Sequence, residues 1–307
     1  MQWAHHWRKY FRHIRVRGPF SKETIKELKE HKVAAYGSKN DRGYHSPVEN
    51  MATSLLAAKK KLPQVDGVLL AHDDLFFNLT MMEEHGFPSK DTIFAQRLLN
   101  SIPPISHSGP IIKFYPNCSY WMNGKAELSE FDCNDIDSHW SKIPFMPEWV
   151  HRKNCLKNFL TAVFSNNGKA FESFGNPQDD RSISFYAMER SDFVYIPTKH
   201  TSFFAPRAQW LAKHQVFLEC AMPTLLLHLN DERKAPIRQL PMANDEWTRK
   251  VYAAHAKSGN GTLLKTLVDY PEPYGILHPM KLSGIKRRHE WGDILSYVAT
   301  GAIPQQK

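Results

Sequence analysis

"DGVLLAHDDLFFN", residues 66–78, is the stretch on which the reading of this chain turns. An apolar run climbs to His72 and two adjacent aspartates, Asp73 and Asp74, then falls back into Leu75, Phe76 and Phe77. Two carboxylates flanked by apolar residues are costly unless something positive meets them. A turn or helix-capping role at a strand end is the plain alternative. A divalent cation would remove the repulsion, and hard oxygen ligands suit magnesium or manganese, ions that usually also hold substrate phosphates.

Upstream, the chain alternates between two periods. "HIRVRGPF" (13–20) alternates and ends in Gly-Pro, a short strand and turn. "SKETIKELKEHK" (21–32) starts a helix with Ser21 as N-cap, and "KVAAYG" (32–37) is a second strand before a polar loop. "SPVENMATSLLAAKKKLP" (46–63) opens with Ser46, Pro47 and Glu49 in capping-box order. Apolar positions 48, 51, 55 and 58 give that helix one buried face. "GVLLAH" (67–72) is the third strand and runs straight into the acidic pair. Strand, helix, strand, helix, strand predicts an α/β fold with a parallel sheet covered by helices. Ligands of such sheets bind at the carboxyl ends of the strands, which is where the pair falls.

Beyond residue 100 the pattern weakens and the chain becomes rich in Trp, Pro, Asn and Asp. "PIIKFYPNCSYW" (110–121) and "SDFVYIP" (191–197) read as strands. "APRAQWLAKHQVFLECAMPTLLLHL" (205–229) reads as a long, mostly apolar helix, interrupted or kinked at Pro223. An amphipathic segment follows near 246–257.

The 307 residues are enough for a substantial core, and 42% hydrophobic with 23% charged residues is ordinary for a globular protein. A net charge of +9 favours an anionic partner without choosing among nucleic acid, an anionic membrane and a phosphorylated small molecule. The four cysteines show no C-x-x-C spacing, which predicts neither a zinc site nor a disulfide framework and fits a reduced compartment. Neither a signal-peptide core nor a stretch of membrane-spanning length stands out, so a cytoplasmic location is expected.

"LLAAKKKLPQVDGVLLAHDDLFFN" resembles the centre of a GT-A-type, metal-dependent glycosyltransferase that uses a nucleotide-sugar donor. Together with "SDFVYIP", "FLECAMPT" and "HPMKLS", it looks most like the small soluble glycosyltransferases of large algal DNA viruses (chloroviruses), which build capsid glycans and are distantly exostosin-like. The resemblance implies a single domain over 1–307 with a central, mostly parallel, Rossmann-like sheet flanked by helices. Residues 1–100 would form the nucleotide-sugar half. Residues 101–307 would form the acceptor half, with a C-terminal return to the metal and diphosphate.

It further implies Mn2+ or Mg2+ as cofactor, with Asp74 as a metal ligand and Asp73 on the ribose or donor sugar. His72 stands where a strict D-x-D motif has its first acid. In "GILHPMKLSG", His278 would return to the metal and Lys281 to the diphosphate. Imidazole can complete a divalent shell and an ammonium can neutralise a leaving diphosphate, so the chemistry supports both roles. Arg17, Tyr36 and Arg42, in or after the first two strands, are the candidates for the base and ribose pocket.

If the reaction inverts, a carboxylate must deprotonate the acceptor. Glu219, set among Val216, Phe217, Leu218, Cys220 and Ala221, is the first choice, with Asp192, Asp179 and Asp180 as alternatives. A salt bridge from Glu219 to Arg207 or Lys213 would be its purely structural role. The implied donor is a UDP-sugar, UDP-xylose first, and the acceptor an oligosaccharide or glycoprotein such as a viral capsid N-glycan. Two other classes compete. "HHWRKYFRHIRVR" and "KRRHEW" are basic with interleaved aromatics, as in nucleic-acid-binding proteins, though nucleic acid is not the expected partner. A metal-dependent phosphohydrolase would explain the acidic pair but not the aromatic-rich middle.

Overall fold

The computed structural model describes residues 11–18, 22–30, 33–37, 46–72, 75–96, 111–114, 119–122, 125–130, 158–159, 161–162, 184–187, 191–242 and 276–277. The chain divides into two compact units. The first holds 1–42, 71–88 and 239–307, and the second holds 43–70 and 89–238.

In the first unit, β1 (Arg15–Gly18) and β2 (Ala34–Gly37) pair in parallel, joined through helix α1 (Lys22–Glu30). This is the strand–helix–strand crossover that the alternating periods predict. Ile25 and Leu28, three residues apart on α1, meet Ile14, Val16 and Val33 in a small core. The Val33 N–H donates to the Leu28 carbonyl at 2.9 Å and closes the helix end. A second pair of strands is antiparallel: β4 (Phe76–Phe77) against β12 (Ile276–Leu277). Phe77 is buried, with the Phe11 ring edge-on to it at 5.9 Å. Helix α3 (Leu79–Glu84) follows, and the Asn78 side chain accepts from the Met81 N–H at 3.1 Å to cap it.

The second unit is built on helix α2 (Ser46–Lys61), which begins where the capping box predicts. Val48, Met51, Leu55 and Ala58, the face read from the sequence, are all buried, together with Ala52. That face packs along helix α4 (Thr201–Lys213) and touches α5 (Leu218–Arg233) in one core with Phe204, Leu211, Leu225 and Leu229. One sheet here runs in the order β11 (Ile237–Gln239), β5 (Ile93–Ala95), β10 (Phe193–Pro197), β3 (Gly67–Ala71). β5 and β10 are antiparallel, with Val194 opposite Ala95. A second sheet is ordered β8 (Lys125–Glu130), β7 (Ser119–Met122), β6 (Ile111–Phe114), β9 (Ser184–Ala187), and its pairings are antiparallel throughout.

The class is therefore α/β as expected, but the sheets are mixed and not mostly parallel. A parallel pair needs a crossover of a dozen or more residues, which the segment carrying α1 supplies between β1 and β2. By contrast, β6 and β7 follow each other closely in sequence and pair antiparallel. The stretch 110–121, read as one strand, is two, β6 and β7. β7 and β8 are separated by Asn123-Gly124, the dipeptide that favours two-residue hairpins.

The long helix expected over 205–229 is also two helices, and the break lies at 214–217 instead of Pro223. Gln215 takes φ 58°, its N–H donates to Ala212 at 2.9 Å, and the Val216 N–H donates to Leu211 at 3.0 Å. These two bonds, with buried Leu211 and Val216, make a Schellman ending that uses glutamine where glycine is usual. Pro206 and Pro223 both lie inside helices. No helix among the described residues is long and apolar enough to cross a membrane.

Candidate donor and metal site

β3 delivers the chain to His72, which is half-buried. Asp73 and Asp74 lie outside the described residues. The Leu75 N–H donates to the His72 carbonyl at 3.3 Å, a bond that spans the pair. Leu75 and Phe77, downstream, are fully buried. The apolar setting inferred from the sequence thus holds on the downstream side, while β3 itself is half-buried.

β4 then binds β12 in antiparallel register, Phe76 opposite Leu277 and Phe77 opposite Ile276. Ile276 also donates its N–H to the Pro241 carbonyl at 3.0 Å. His278 is the residue after Leu277, and Asp74 stands two residues before Phe76. His278 and Lys281 are themselves outside the described residues, as is Arg42. In β1 and β2 the parallel register sets Arg17 opposite Tyr36, one residue from the carboxyl end of each strand.

The candidate bases belong to the second unit. Glu219 lies in the first turn of α5, half-buried, where the free N–H groups of a helix start favour a carboxylate. Arg207, one expected salt-bridge partner, donates to the Phe203 carbonyl at 3.1 Å and stacks 3.8 Å from that ring. Lys213, the other, sits 5.1 Å over Trp210. Asp192 is buried at the entrance to β10, and its N–H donates to Gln96 Oε1 at 3.0 Å. Asp179 and Asp180 lie outside the described residues.

Among the described residues no group of three His, Cys, Asp or Glu is placed to hold a metal. Several polar residues that sequence reasoning passed over are buried instead. Gln96 is fully buried, and its Nε2 has no hydrogen-bond partner among the described residues. Burial pushes the Tyr195 phenol up to about 12, with Asp66 adding to the effect. His200 is buried at the start of α4. Burial lowers its pKa, Lys199 and Arg233 lower it further, and Asp91 opposes them. Burial and then Lys213 lower His214 in the same way. Sequence signals for these are faint, because a polar residue at a strand end looks like any loop residue.

One expectation fails. Cys220, buried in α5, is disulfide-bonded, and the other three cysteines lie outside the described residues. Single cysteines scattered without motif spacing hide such a pair, because pairing is decided in space. Disulfides persist in oxidising surroundings, which weighs against the reduced compartment read from the sequence. No protein-family model matches the chain, and no curated protein matches it.

Proposed function

We propose that the chain is a metal-dependent glycosyltransferase that moves a sugar from a UDP-sugar, UDP-xylose in the first instance, to an oligosaccharide or glycoprotein acceptor such as a viral capsid N-glycan. The observation that carries this reading is the β4–β12 ladder. Leu277 pairs with Phe76, so backbone hydrogen bonding brings a segment two hundred residues downstream to the edge of the acidic motif. A histidine follows that segment directly and a lysine three residues later, the pair of groups a nucleotide diphosphate and its metal require.

A carboxylate from Asp74 and an imidazole from His278 form a donor set that suits Mn2+, and Mg2+ would retain more water. When bound, such an ion neutralises charge on the diphosphate. Lys281 would add an ammonium to the same charge as the sugar leaves. Asp73 would orient the ribose or the donor sugar. Arg17 and Tyr36, opposite each other near the carboxyl ends of parallel strands, would meet the nucleotide, with Arg42 further along the chain as a third candidate. Glu219 would take the acceptor proton in an inverting transfer, with Asp192, Asp179 or Asp180 as the alternatives.

Calorimetry of UDP binding tests the reading. Affinity should rise at least tenfold on replacing a chelator with manganese, about the strength of one charge-assisted contact. Asp74→Ala should erase the manganese effect while leaving the circular dichroism spectrum unchanged. Equal affinity with chelator and with manganese overturns the metal role. Tyr36→Ala with an unaltered UDP dissociation constant would remove that residue from the nucleotide pocket.

A further inference from the structure

Helix α2 ends in Lys59, Lys60 and Lys61, all exposed and without an ion pair among the described residues. Cations at a helix C-terminus are favourable, and a lysine run by itself is an ordinary solvated face. Here the loop leaving the helix gathers more. The Thr198 N–H donates to the Asp66 carbonyl at 2.9 Å, and its hydroxyl lies 3.2 Å from the Val65 and Asp66 carbonyls. The 3-10 turn Thr198–His200 is thereby fastened to residues 65–66, which brings Lys199 alongside. Lys90 joins through Asp66 at 3.5 Å. Asp66 and Asp91, the acids among these contacts, already face Lys90 and Lys199. Among the described residues, Lys59, Lys60 and Lys61 face no acid.

Leu56 adds a different signal. It is 42% exposed, the one large hydrophobic residue so exposed among the described residues. It precedes Lys59 and Lys60 by three and four residues, so it shares their side of the helix. A solitary surface leucine needs no explanation, but one bordered by unpaired lysines has the make-up of an interfacial anchor. A surface for single-stranded nucleic acid would offer rings for base stacking. These contacts bring together lysines and an aliphatic side chain. We propose that this end of α2 docks on an anionic phospholipid bilayer, with Leu56 entering the interface and Lys59, Lys60 and Lys61 at the headgroups.

The test is flotation of the full chain with vesicles of phosphatidylcholine alone and with added phosphatidylserine. The protein should float only with the phosphatidylserine vesicles, and salt should release it. Changing Lys59, Lys60 and Lys61 together to Glu should weaken partition roughly a hundredfold, a few-fold per cation. The same triple change to Gln, a milder neutralisation, guards against misfolding and should also weaken it. Leu56→Ser should cost about tenfold, the scale of one partly buried leucine. Equal flotation on both vesicle types, or unchanged partition in all three variants, overturns the proposal. So does retention on duplex DNA that depends on the lysines but not on Leu56, without vesicle binding.

Discussion

The Tyr195 ring occupies the space that any side chain at position 67 would need. A β carbon at position 67 would fall far inside contact distance of both Cζ and Oη of Tyr195. Tyr195 is itself buried and stands in β10, the strand next to β3. Gly67→Ala must therefore displace the ring or the strand, at a cost of about 1–3 kcal/mol, typical of overpacking. Its melting temperature should fall by several degrees, and Tyr195→Leu in the same chain should recover part of the loss. An unchanged melting temperature in Gly67→Ala would contradict this contact.

The same phenol governs behaviour in alkali. Its pKa is pushed up to about 12 in the folded chain from an ordinary 10.0, because burial and Asp66 disfavour the phenolate. A group raised on folding contributes stability that is complete below the unfolded value and is lost as pH climbs through the folded one. Unfolding free energy should therefore drop between roughly pH 10 and 12, and Tyr195→Phe should flatten that drop. Parallel curves for the two proteins would refute the assignment.

His200 acts at the opposite end of the scale. Burial, then Lys199, holds its pKa below the ordinary imidazole range, and His200 Nε2 has no hydrogen-bond partner among the described residues. A depressed folded pKa contributes stability above the unfolded value, and that stability is lost as pH falls through the folded one. Denaturant midpoints should decline as pH falls below about 6.5, and His200→Gln should make the decline shallower. His214 shifts in the same direction, so His200→Gln should leave part of the slope and the double change to Gln should remove more.

For the acceptor step, Glu219→Gln preserves shape and hydrogen bonding while removing proton acceptance. Turnover of UDP-sugar should fall about a hundredfold or more with donor affinity intact, and the acidic limb of the pH profile should vanish. Near-normal turnover would move the role to Asp192, Asp179 or Asp180. A product of retained configuration would remove the need for such a base.

The bond at Cys220 is open to direct counting. A pair removes two of the four cysteines, so at most two thiols should titrate in denaturant without reductant. Four titrating thiols in protein prepared without reductant would show that Cys220 is free.

Residues 46–72 were the most legible part of the chain because several local rules agree there. A capping box, a buried face at helical spacing and an apolar run bounded by turns all point the same way, and α2 and β3 follow them. The parallel pairing of β1 with β2 likewise follows from two strands around one helix. Legibility failed where the deciding contact is remote or the residue untypical. Gln215 does the work of glycine, so the break between α4 and α5 carries no sequence mark and Pro223 drew attention instead. β3 ends beside β10, more than a hundred residues away, and no periodicity encodes that partner. Asp192 and Gln96 meet across a separation of 96 residues for the same reason.

The β4–β12 ladder also sets an order of events during synthesis. The second unit has its whole sequence once residue 238 has emerged from the ribosome. The first unit cannot close then, because Phe76 and Phe77 wait for Leu277 and Ile276. For the interval between, β4 is already made while the strand that pairs with it is not. A nascent chain arrested between those points would hold the complete sequence of the second unit and a β4 still waiting for its partner, the kind of exposed edge a chaperone protects.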